Sequence, residues 1–154
     1  MSNLTIRFAE VDDTADIFSL INELASYEKL SHLITTSVDE LKINLFGKEK
    51  FVEILIAEYD NKIVGQALFF KNFSTFLGKP GIYLEDLFVK PDFRGKGIGK
   101  ALLEKIISIA KERNYGRVEW SVLDWNESAI DFYKKMGAEI LDEWKICRVI
   151  SDKF

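Results

Sequence analysis

The sequence predicts a mixed α/β (α+β) fold, in which one sheet of parallel and antiparallel strands carries several helices. The chain has 154 residues, a length typical of a single domain spanning residues 1–154. Two strand-like segments flank Asp60-Asn61, a pair that favours the tight turn of an antiparallel hairpin. A strand–helix–strand succession runs from Ile82 to Leu123 and is long enough for a right-handed crossover between parallel strands.

The first third of the chain predicts one strand and two helices. Residues 4–9 (LTIRFA) alternate apolar and polar side chains, which is typical of a strand with one buried face. Asp12 and Asp13 can cap a helix. The apolar residues of that helix share one face: Ile17, Leu20, Ile21 and Leu24. A capping box at residues 37–40 opens a second, short helix that ends at Gly47.

The remaining segments alternate strands with helices. Residues 51–59 and 62–70 form the predicted hairpin, and residues 73–81 (FSTFLGKPG) have the composition of a loop. A strand predicted at Ile82–Val89 is followed by a helix with one apolar face, formed by Ile98, Ala101, Leu102, Ile106 and Ile109. The last predicted elements are a strand at Arg117–Leu123, a helix at Asn126–Met136 and a final strand at Glu143–Ile150.

Composition limits the classes of function. A net charge of −4 argues against a nucleic-acid partner, because neutralising phosphates requires a cationic surface. Apolar runs are short and broken by charge, so no membrane-spanning segment and no secretory signal are expected. Cys147 is the only cysteine, which favours a cytoplasmic location and predicts a buried, inert thiol. His32 is the only histidine and has no cysteine beside it, so no metal site is expected.

A glycine-rich loop carries the clearest functional signal. The pattern R-x-x-G-x-G at residues 94–99 follows one predicted strand and opens the next helix. Its spacing fits neither the dinucleotide fingerprint nor the P-loop. Unbonded N–H groups at a helix start attract anions, and glycines let a ligand approach the backbone closely. On these residues alone, a phosphate or pyrophosphate site and a flexible turn with solvated cations are equally supported.

Several motifs, in order along the chain, resemble those of the Gcn5-related N-acetyltransferase (GNAT) superfamily. They are ELASYEKLS (23–31), LEDLFVKPDFRGKGIGKALL (84–103), VLDWN (122–126) and DFYKKMGA (131–138). They resemble the branch of spermidine/spermine and thialysine N-acetyltransferases, and FSTFLGK with VLDWN is closer to the thialysine enzymes. The resemblance implies a mostly antiparallel, twisted sheet with a central parallel βαβ unit and helices on both faces. It also implies direct acetyl transfer from acetyl-CoA to a primary amine of a small molecule.

The resemblance implies which residues hold acetyl-CoA. Backbone groups of the strand would contact the pantetheine arm, the loop would hold the diphosphate, and residues of the later helix would complete the site. The implied residues are Leu87, Phe88, Val89, Arg94, Gly95, Lys96, Gly97, Ile98, Gly99, Lys100, Asn126, Ser128 and Tyr133. On the residues alone, Asn126 is interpreted as a helix N-cap, a role that is compatible with ligand contact.

Two residues are candidates for proton transfer. Strand periodicity places Tyr83, Glu85, Leu87 and Val89 on one face, and Asp86 on the other. From the residues alone, Glu85 is interpreted as one partner of a salt bridge at the edge of the sheet. The resemblance at YLED implies instead that Glu85 is a general base that acts through water. From the residues alone, Tyr133 is interpreted as a tyrosine of the hydrophobic core. The resemblance implies instead that Tyr133 is the acid that protonates the departing thiolate. The Leu87 N–H is the expected donor to the oxyanion.

Acceptor binding is expected to involve anionic side chains, which can hold the distal ammonium of a diamine. The implied residues are Tyr27, Glu28, Ser74, Thr75, Glu85, Glu119, Trp120, Ser121 and Glu143. Where the polyamine branch tends to carry an aspartate, this chain has Ser74, which favours a lysine-like amine over a long polycation. The resemblance also implies a homodimer. Two alternatives stay open: an acetyltransferase acting on a protein N-terminus or lysine, and a non-catalytic acyl-CoA-binding module.

Overall fold

The structure is a computed structural model that describes residues 3–154. Contacts within the chain divide it into two compact units, the first ending at Ser121 and the second spanning Val122–Phe154. The first unit contains the sheet and three of the four α-helices, and the second contains the fourth helix. None of the helices in residues 3–154 combines the length and the apolar character needed to cross a bilayer.

The first unit is built on one five-stranded sheet. Its strands are β1 (Leu4–Phe8), β2 (Glu53–Tyr59), β3 (Lys62–Ser74), β4 (Lys79–Val89) and β5 (Val118–Glu119). They lie side by side in chain order, with every neighbouring pair antiparallel except β4 and β5, which are parallel. The predicted mixed, mostly antiparallel sheet is therefore confirmed. The parallel pair lies at one edge of the described sheet, because no described strand follows β5.

Helices cover both faces of this sheet. The three helices of the first unit are α1 (Thr14–Tyr27), α2 (Val38–Phe46) and α3 (Ile98–Glu112). On one face, α1 and α2 bury a cluster with β2 and β3: Ile17, Leu45, Ile54, Ile56 and Leu68. On the other face, α3 approaches so closely that a Cβ at Gly65 would lie 3.5 Å from Leu102 Cδ1. Burial on both faces explains why β2 and β3 have runs of consecutive buried residues.

Local sequence signals positioned several of these elements correctly. Ser37 Oγ accepts a hydrogen bond from the Glu40 N–H at 3.2 Å and caps α2. Asp60 and Asn61 have φ angles of 49° and 63°, the left-handed pair that a type I′ hairpin turn requires. The Ser37 cap, which is one half of the predicted capping box, and the hairpin turn were therefore predicted from short-range chemistry alone.

The predicted loop at 73–81 is wrong. Strands β3 and β4 continue through most of it, and the turn is confined to Thr75, Phe76, Leu77 and Gly78. Gly78 supplies a φ of 63°. Pro80 lies near the start of β4, where its carbonyl accepts a hydrogen bond from the Gly116 N–H at 2.8 Å. Proline is tolerated near a strand end because the ladder there loses little from its missing N–H.

The end of the chain also departs from the prediction. Strand β5 has two residues, although seven were predicted at 117–123. Helix α4 (Glu127–Lys135) confirms the predicted helix, but residues 143–150 form no strand. The second unit offers one α-helix and no described strand with which this segment could pair. The side chains of 143–150 are exposed, and Cys147 is exposed rather than buried.

Two groups of ion pairs fix helices to the sheet. Arg7 on β1 pairs with Asp13 before α1 at 2.8 Å and with Glu58 on β2 at 2.9 Å. The hydrogen bonds from Arg7 hold the pKa of Asp13 below its usual range. At the other end of the sheet, Arg113 after α3 pairs with Glu53 on β2 at 2.7 Å. These contacts hold the start of α1 and the end of α3 against neighbouring strands.

Candidate active site

The glycine-rich loop joins β4 to α3. After a single helical turn at Pro91–Phe93, Gly95 and Gly97 take φ angles of 76° and 78°, and Gly97 is the N-cap of α3. Residues other than glycine rarely adopt this region. A Cβ at either glycine would meet no heavy atom within 4 Å, so the space in front of the loop is open.

The loop presents a row of unbonded N–H groups. Among the described backbone hydrogen bonds, none is donated by the consecutive N–H groups from Gly95 to Lys100. The first such bond of α3 runs from the Ala101 N–H to the Gly97 carbonyl at 3.0 Å. Free N–H groups and the positive end of the helix dipole both favour an anion. This donor set and the open space fit a diphosphate.

The three cations of the loop have different surroundings. Lys100 Nζ lies 3.7 Å from Glu104 on the next turn of α3. Lys96 Nζ lies 5.6 Å from the centre of the Tyr59 ring. Arg94 turns back towards the sheet, where its Nε donates to the Val89 carbonyl at 3.0 Å. Among the described contacts, Arg94 is the one of these three cations whose side chain donates a hydrogen bond to a strand.

Strand β4 has an unpaired stretch along its β5 side. The parallel pairing with β5 consists of Ile82 with Val118 and Tyr83 with Glu119. Pairing with β3 on the other side continues to Val89. The β5-facing edge of β4 beyond Tyr83 is thus free of a strand partner among the described residues. This edge includes the predicted cofactor contacts Leu87, Phe88 and Val89, and an extended amide-bearing ligand can add to such an edge.

A β-bulge changes the predicted geometry of Glu85 and Asp86. Leu68 on β3 pairs with Asp86 and the next residue, Phe69, pairs with Leu84, so Glu85 is an extra residue. The strict alternation that grouped Tyr83, Glu85, Leu87 and Val89 on one face is therefore wrong. Glu85 is exposed, whereas Asp86 is half-buried on the face that carries α1.

The carboxyl group of Asp86 has a shifted pKa because it is buried. Loss of hydration raises the pKa of Asp86 to about 6, and the neighbouring charges of Glu85 and Glu28 add to the rise. Burial also raises the pKa of Glu28, which follows the last residue of α1. These three carboxyl groups form an acidic site at the junction of β4 and the end of α1.

A surface pocket of about 300 Å³ lies beside this acidic site. It is lined by Glu23, Ser26, Tyr27, Phe88 and Pro91. The Arg94 guanidinium lies 4.6 Å from the centre of the Tyr27 ring and 5.4 Å from the centre of the Phe88 ring. Arg94 therefore lies against two of the residues that line this pocket.

The other predicted acceptor residues of the first unit have local partners. Ser74 is buried, and its Oγ accepts a hydrogen bond from the Leu77 N–H at 3.2 Å, which caps the hairpin turn. Thr75 is exposed in that turn. Glu119 pairs with Arg117 at 2.9 Å, and Ser121 shares a 2.9 Å hydrogen bond with the Tyr83 hydroxyl. Trp120 is half-buried directly after β5.

Four predicted site residues belong to the second unit. Asn126 is the N-cap of α4, where its Oδ1 accepts a hydrogen bond from the Ala129 N–H at 3.3 Å. Ser128 is exposed in the first turn. Tyr133 is buried, with its ring centre 5.4 Å from that of Phe132. Glu143 is exposed in a turn after the helix.

Sequence reasoning gave no role at the site to Asp86 and did not single out Glu23 or Gln66. Strand periodicity correctly placed Asp86 opposite Leu87 and Val89, but the bulge that brings Tyr83 to the same face as Asp86 leaves no signal in a period of two. Glu23 lines the pocket from α1, and its carboxylate lies 3.6 Å from Lys90 Nζ. Gln66 is fully buried in β3, and a polar amide inside the apolar run VGQALFF was the available signal. No group of three or more His, Cys, Asp or Glu side chains in residues 3–154 is arranged to hold a metal ion.

The chain is similar to known proteins over most of its length. The profile of the acetyltransferase (GNAT) family matches residues 16–138. Thialysine N-epsilon-acetyltransferase from Bos taurus is 38% identical, covering 93% of this chain and 88% of that protein. L-ornithine N5-acetyltransferase from Arabidopsis thaliana is 32% identical, covering 96% and 84%. Among solved structures, an integron cassette protein from V. cholerae superposes with a TM-score of 0.81 at 26% identity, covering 97% and 94%.

Proposed function

The chain belongs to the acetyltransferase (GNAT) family, and we propose that it transfers an acetyl group from acetyl-CoA to a primary amine of a small molecule. The transfer is a direct attack in a ternary complex. The observation that carries this proposal is the row of unbonded N–H groups from Gly95 to Lys100 in the open glycine-rich loop. That row fits the diphosphate of the donor. Both compact units belong to one catalytic domain in this proposal.

The acceptor is a thialysine- or lysine-like amino acid, a diamine or a polyamine. The names of the relatives support this range, since thialysine and ornithine are amino acids with a terminal amine. The carboxyl groups of Glu28, Glu85 and Asp86 also support it, because they give the end of α1 and the β4 bulge a negative potential. A cationic amine is attracted to such a site.

The proposed donor, acetyl-CoA, supplies the acetyl group as a thioester. The loop backbone binds its diphosphate, with Lys96 and Lys100 adding positive charge. The unpaired edge of β4 from Leu87 to Val89 binds its amide-containing arm. Asn126 and Ser128 contribute from the first turn of α4 in this proposal.

Two side chains move protons in the proposed reaction. Glu85 accepts the proton of the attacking ammonium through water, and its exposure gives water access to the carboxylate. The adjacent Asp86 holds the cationic amine beside it. Tyr133 donates the proton that the departing sulfur needs, and the Leu87 N–H stabilises the oxyanion.

Location and assembly complete the proposal. A single cysteine supports a cytoplasmic location. Exposed apolar side chains near the end of the chain support a homodimer, and they include Trp144, Ile146, Val149, Ile150 and Phe154. Sedimentation equilibrium measures the mass directly, and a monomer at all concentrations would contradict the dimer.

The function is tested by mixing the protein with acetyl-CoA, a thiol reagent and a panel of amines. Thialysine, lysine, ornithine, putrescine, spermidine and a lysine-containing peptide cover the proposed acceptors and the protein-directed alternative. We expect thiol release with at least one small amine and a lower kcat/KM with the peptide. Thiol release with the peptide alone would favour the protein-directed enzyme. Binding of coenzyme A without turnover of any amine would favour a non-catalytic module.

Gly97→Ala tests the loop. The left-handed φ at position 97 imposes a strain of about 1–2 kcal/mol on any L-residue. The Cβ that the substitution adds enters the open side of the loop. We expect the variant to bind coenzyme A at least about tenfold more weakly by titration calorimetry, since distortion misdirects N–H groups that must converge on one anion.

Gly78→Ala is the matched control. Gly78 has a φ of 63°, and a Cβ there also meets open space, but it lies in the β3–β4 turn. Both variants should lose similar stability in urea titrations, while Gly78→Ala keeps the wild-type affinity for coenzyme A. Equal affinities for all three proteins would remove the loop from the proposed site.

A further inference from the structure

The second half of α1 has little hydrophobic anchoring. The buried residues of this helix all lie in its first half: Thr14, Ile17 and Leu20. Tyr27, its last residue, is exposed. Most of the stability of a helix in a folded protein comes from the packing of its apolar face. The end of α1, which leads directly into Glu28, therefore needs other contacts to fix its position on the sheet.

Arg94 contacts this end of α1 and the end of β4 together. Its guanidinium carbon lies 4.6 Å from the centre of the Tyr27 ring and 5.4 Å from the centre of the Phe88 ring. Both distances are within the range of about 6 Å in which a cation is attracted to the face of an aromatic ring. Arg94 Nε also donates a hydrogen bond to the Val89 carbonyl at 3.0 Å. One side chain thereby joins the last residue of α1 to the last two residues of β4.

A second contact between α1 and the end of β4 lies one helical turn earlier. Glu23 and Tyr27 are four residues apart on α1, so they share a face, and both line the pocket of about 300 Å³. The Glu23 carboxylate lies 3.6 Å from Nζ of Lys90, the residue after β4. Both side chains of this ion pair are more than a third exposed, so the pair contributes little. The contacts of Arg94 matter more, because its planar guanidinium packs on two rings and donates a hydrogen bond at the same time.

We propose that Arg94 is a positioning residue for the acceptor, which rests on the proposed acetyl transfer to a small amine. This role differs from the one that the sequence implied for Arg94, a contact with the donor. Arg94 fixes the end of α1, and Glu28 follows that end directly. The charge of Glu28 contributes to the raised pKa of Asp86, so these two carboxyl groups are close enough to interact. Fixing α1 therefore fixes how the carboxylates of the acidic site converge on the ammonium group of the acceptor.

Two variants of Arg94 separate the positioning role from a contact with the donor. Arg94→Met keeps a long side chain and loses the charge, whereas Arg94→Lys keeps the charge and loses the planar guanidinium. We expect both variants to raise KM for the amine by at least about tenfold, because small misplacements of binding groups are costly. The change in kcat should be smaller than the change in KM, since the groups that move protons are intact. The affinity for coenzyme A, measured by titration calorimetry, should stay within about threefold of wild type in both variants.

Lys96→Met is the matched comparison, because it removes a cation two residues away in the same loop. It should weaken the binding of coenzyme A more than it raises KM for the amine. Hydrogen exchange at the backbone amides of residues 21–27 reports on the end of α1 without any turnover. We expect exchange there to be faster by about threefold or more in both Arg94 variants, and unchanged in Lys96→Met.

Three results would overturn the proposal. A loss of affinity for coenzyme A of about tenfold or more in either Arg94 variant would make Arg94 a ligand of the diphosphate. An unchanged KM for the amine, or unchanged exchange at the end of α1, would show that Arg94 does not position the acceptor site. If the wild type acetylates no amine, the proposed function fails, and hydrogen exchange still decides whether Arg94 holds the end of α1.

Discussion

Glu85→Gln is expected to lower kcat for the amine by about 100-fold or more, since a positioned general base contributes about 10²–10⁴-fold. An alkylammonium group with a pKa near 10.4 must lose its proton before it attacks. The amide keeps the shape of the side chain and cannot accept that proton. Steady-state thiol release at saturating substrates measures the effect. A loss smaller than about fivefold would mean that the proton leaves by another route.

Asp86→Asn makes the same carboxylate-to-amide change one residue away and is the matched control. Because the pKa of Asp86 is raised to about 6, the carboxyl is neutral below that pH and charged above it. We therefore expect the wild-type KM for the amine to fall as pH rises through 6. The Asn variant should keep a high KM, about tenfold above wild type at pH 8, with kcat little changed.

Measuring the free energy of unfolding separates the effect of Asp86→Asn on amine binding from any effect on folding. The folded-state pKa of Asp86 lies above the ordinary value of 3.8, so folding favours the protonated form. The stability that this raised pKa contributes is fully present below about pH 4 and is lost as the pH rises through 6. Asp86→Asn removes that loss and should be more stable than wild type at pH 7 in urea titrations. A less stable Asn variant would mean that the carboxylate makes a stabilising contact.

Features set by short-range chemistry were predictable from the sequence. The Ser37 cap depends on residues three apart, and the turn at Asp60 and Asn61 depends on their tolerance of positive φ. The loop at Gly95 and Gly97 was located for the same reason. Each of these positions is determined by its own residues and their immediate neighbours.

Features set by partners distant in the chain were not predictable. The bulge at Glu85 is a mismatch between β3 and β4, and it decides which carboxyl group is buried. Residues 143–150 have a strand-like composition, but a strand requires a neighbour to bond. The sequence predicted that Ser74 contacts the acceptor. Its hydroxyl instead caps the turn between β3 and β4, which forms because both strands continue into the predicted loop. In each case the outcome depends on register, which the composition of one segment does not contain.

Tyr133→Phe is expected to lower kcat by about 100-fold, the lower range for removal of a general acid. The change deletes one hydroxyl and keeps the ring that packs beside Phe132. A thiolate leaves the tetrahedral intermediate more readily when a proton is delivered to sulfur, so the loss should appear in kcat. KM for acetyl-CoA should stay within about threefold of wild type if the hydroxyl acts in the chemical step.

The matched control for this variant is Tyr115→Phe. It deletes a hydroxyl that follows the C-terminal end of α3, whereas the glycine-rich loop precedes the N-terminal end of that helix. Thermal melts of both variants show whether either fold is weakened, and Tyr115→Phe should keep the wild-type kcat. A Tyr133 variant with unchanged kcat and a raised KM for acetyl-CoA would make the hydroxyl a binding contact. The thiolate would then depart without a protein acid, as its ordinary pKa near 8.5 permits, and catalysis would rest on the base at the β4 bulge and on the backbone donors of β4.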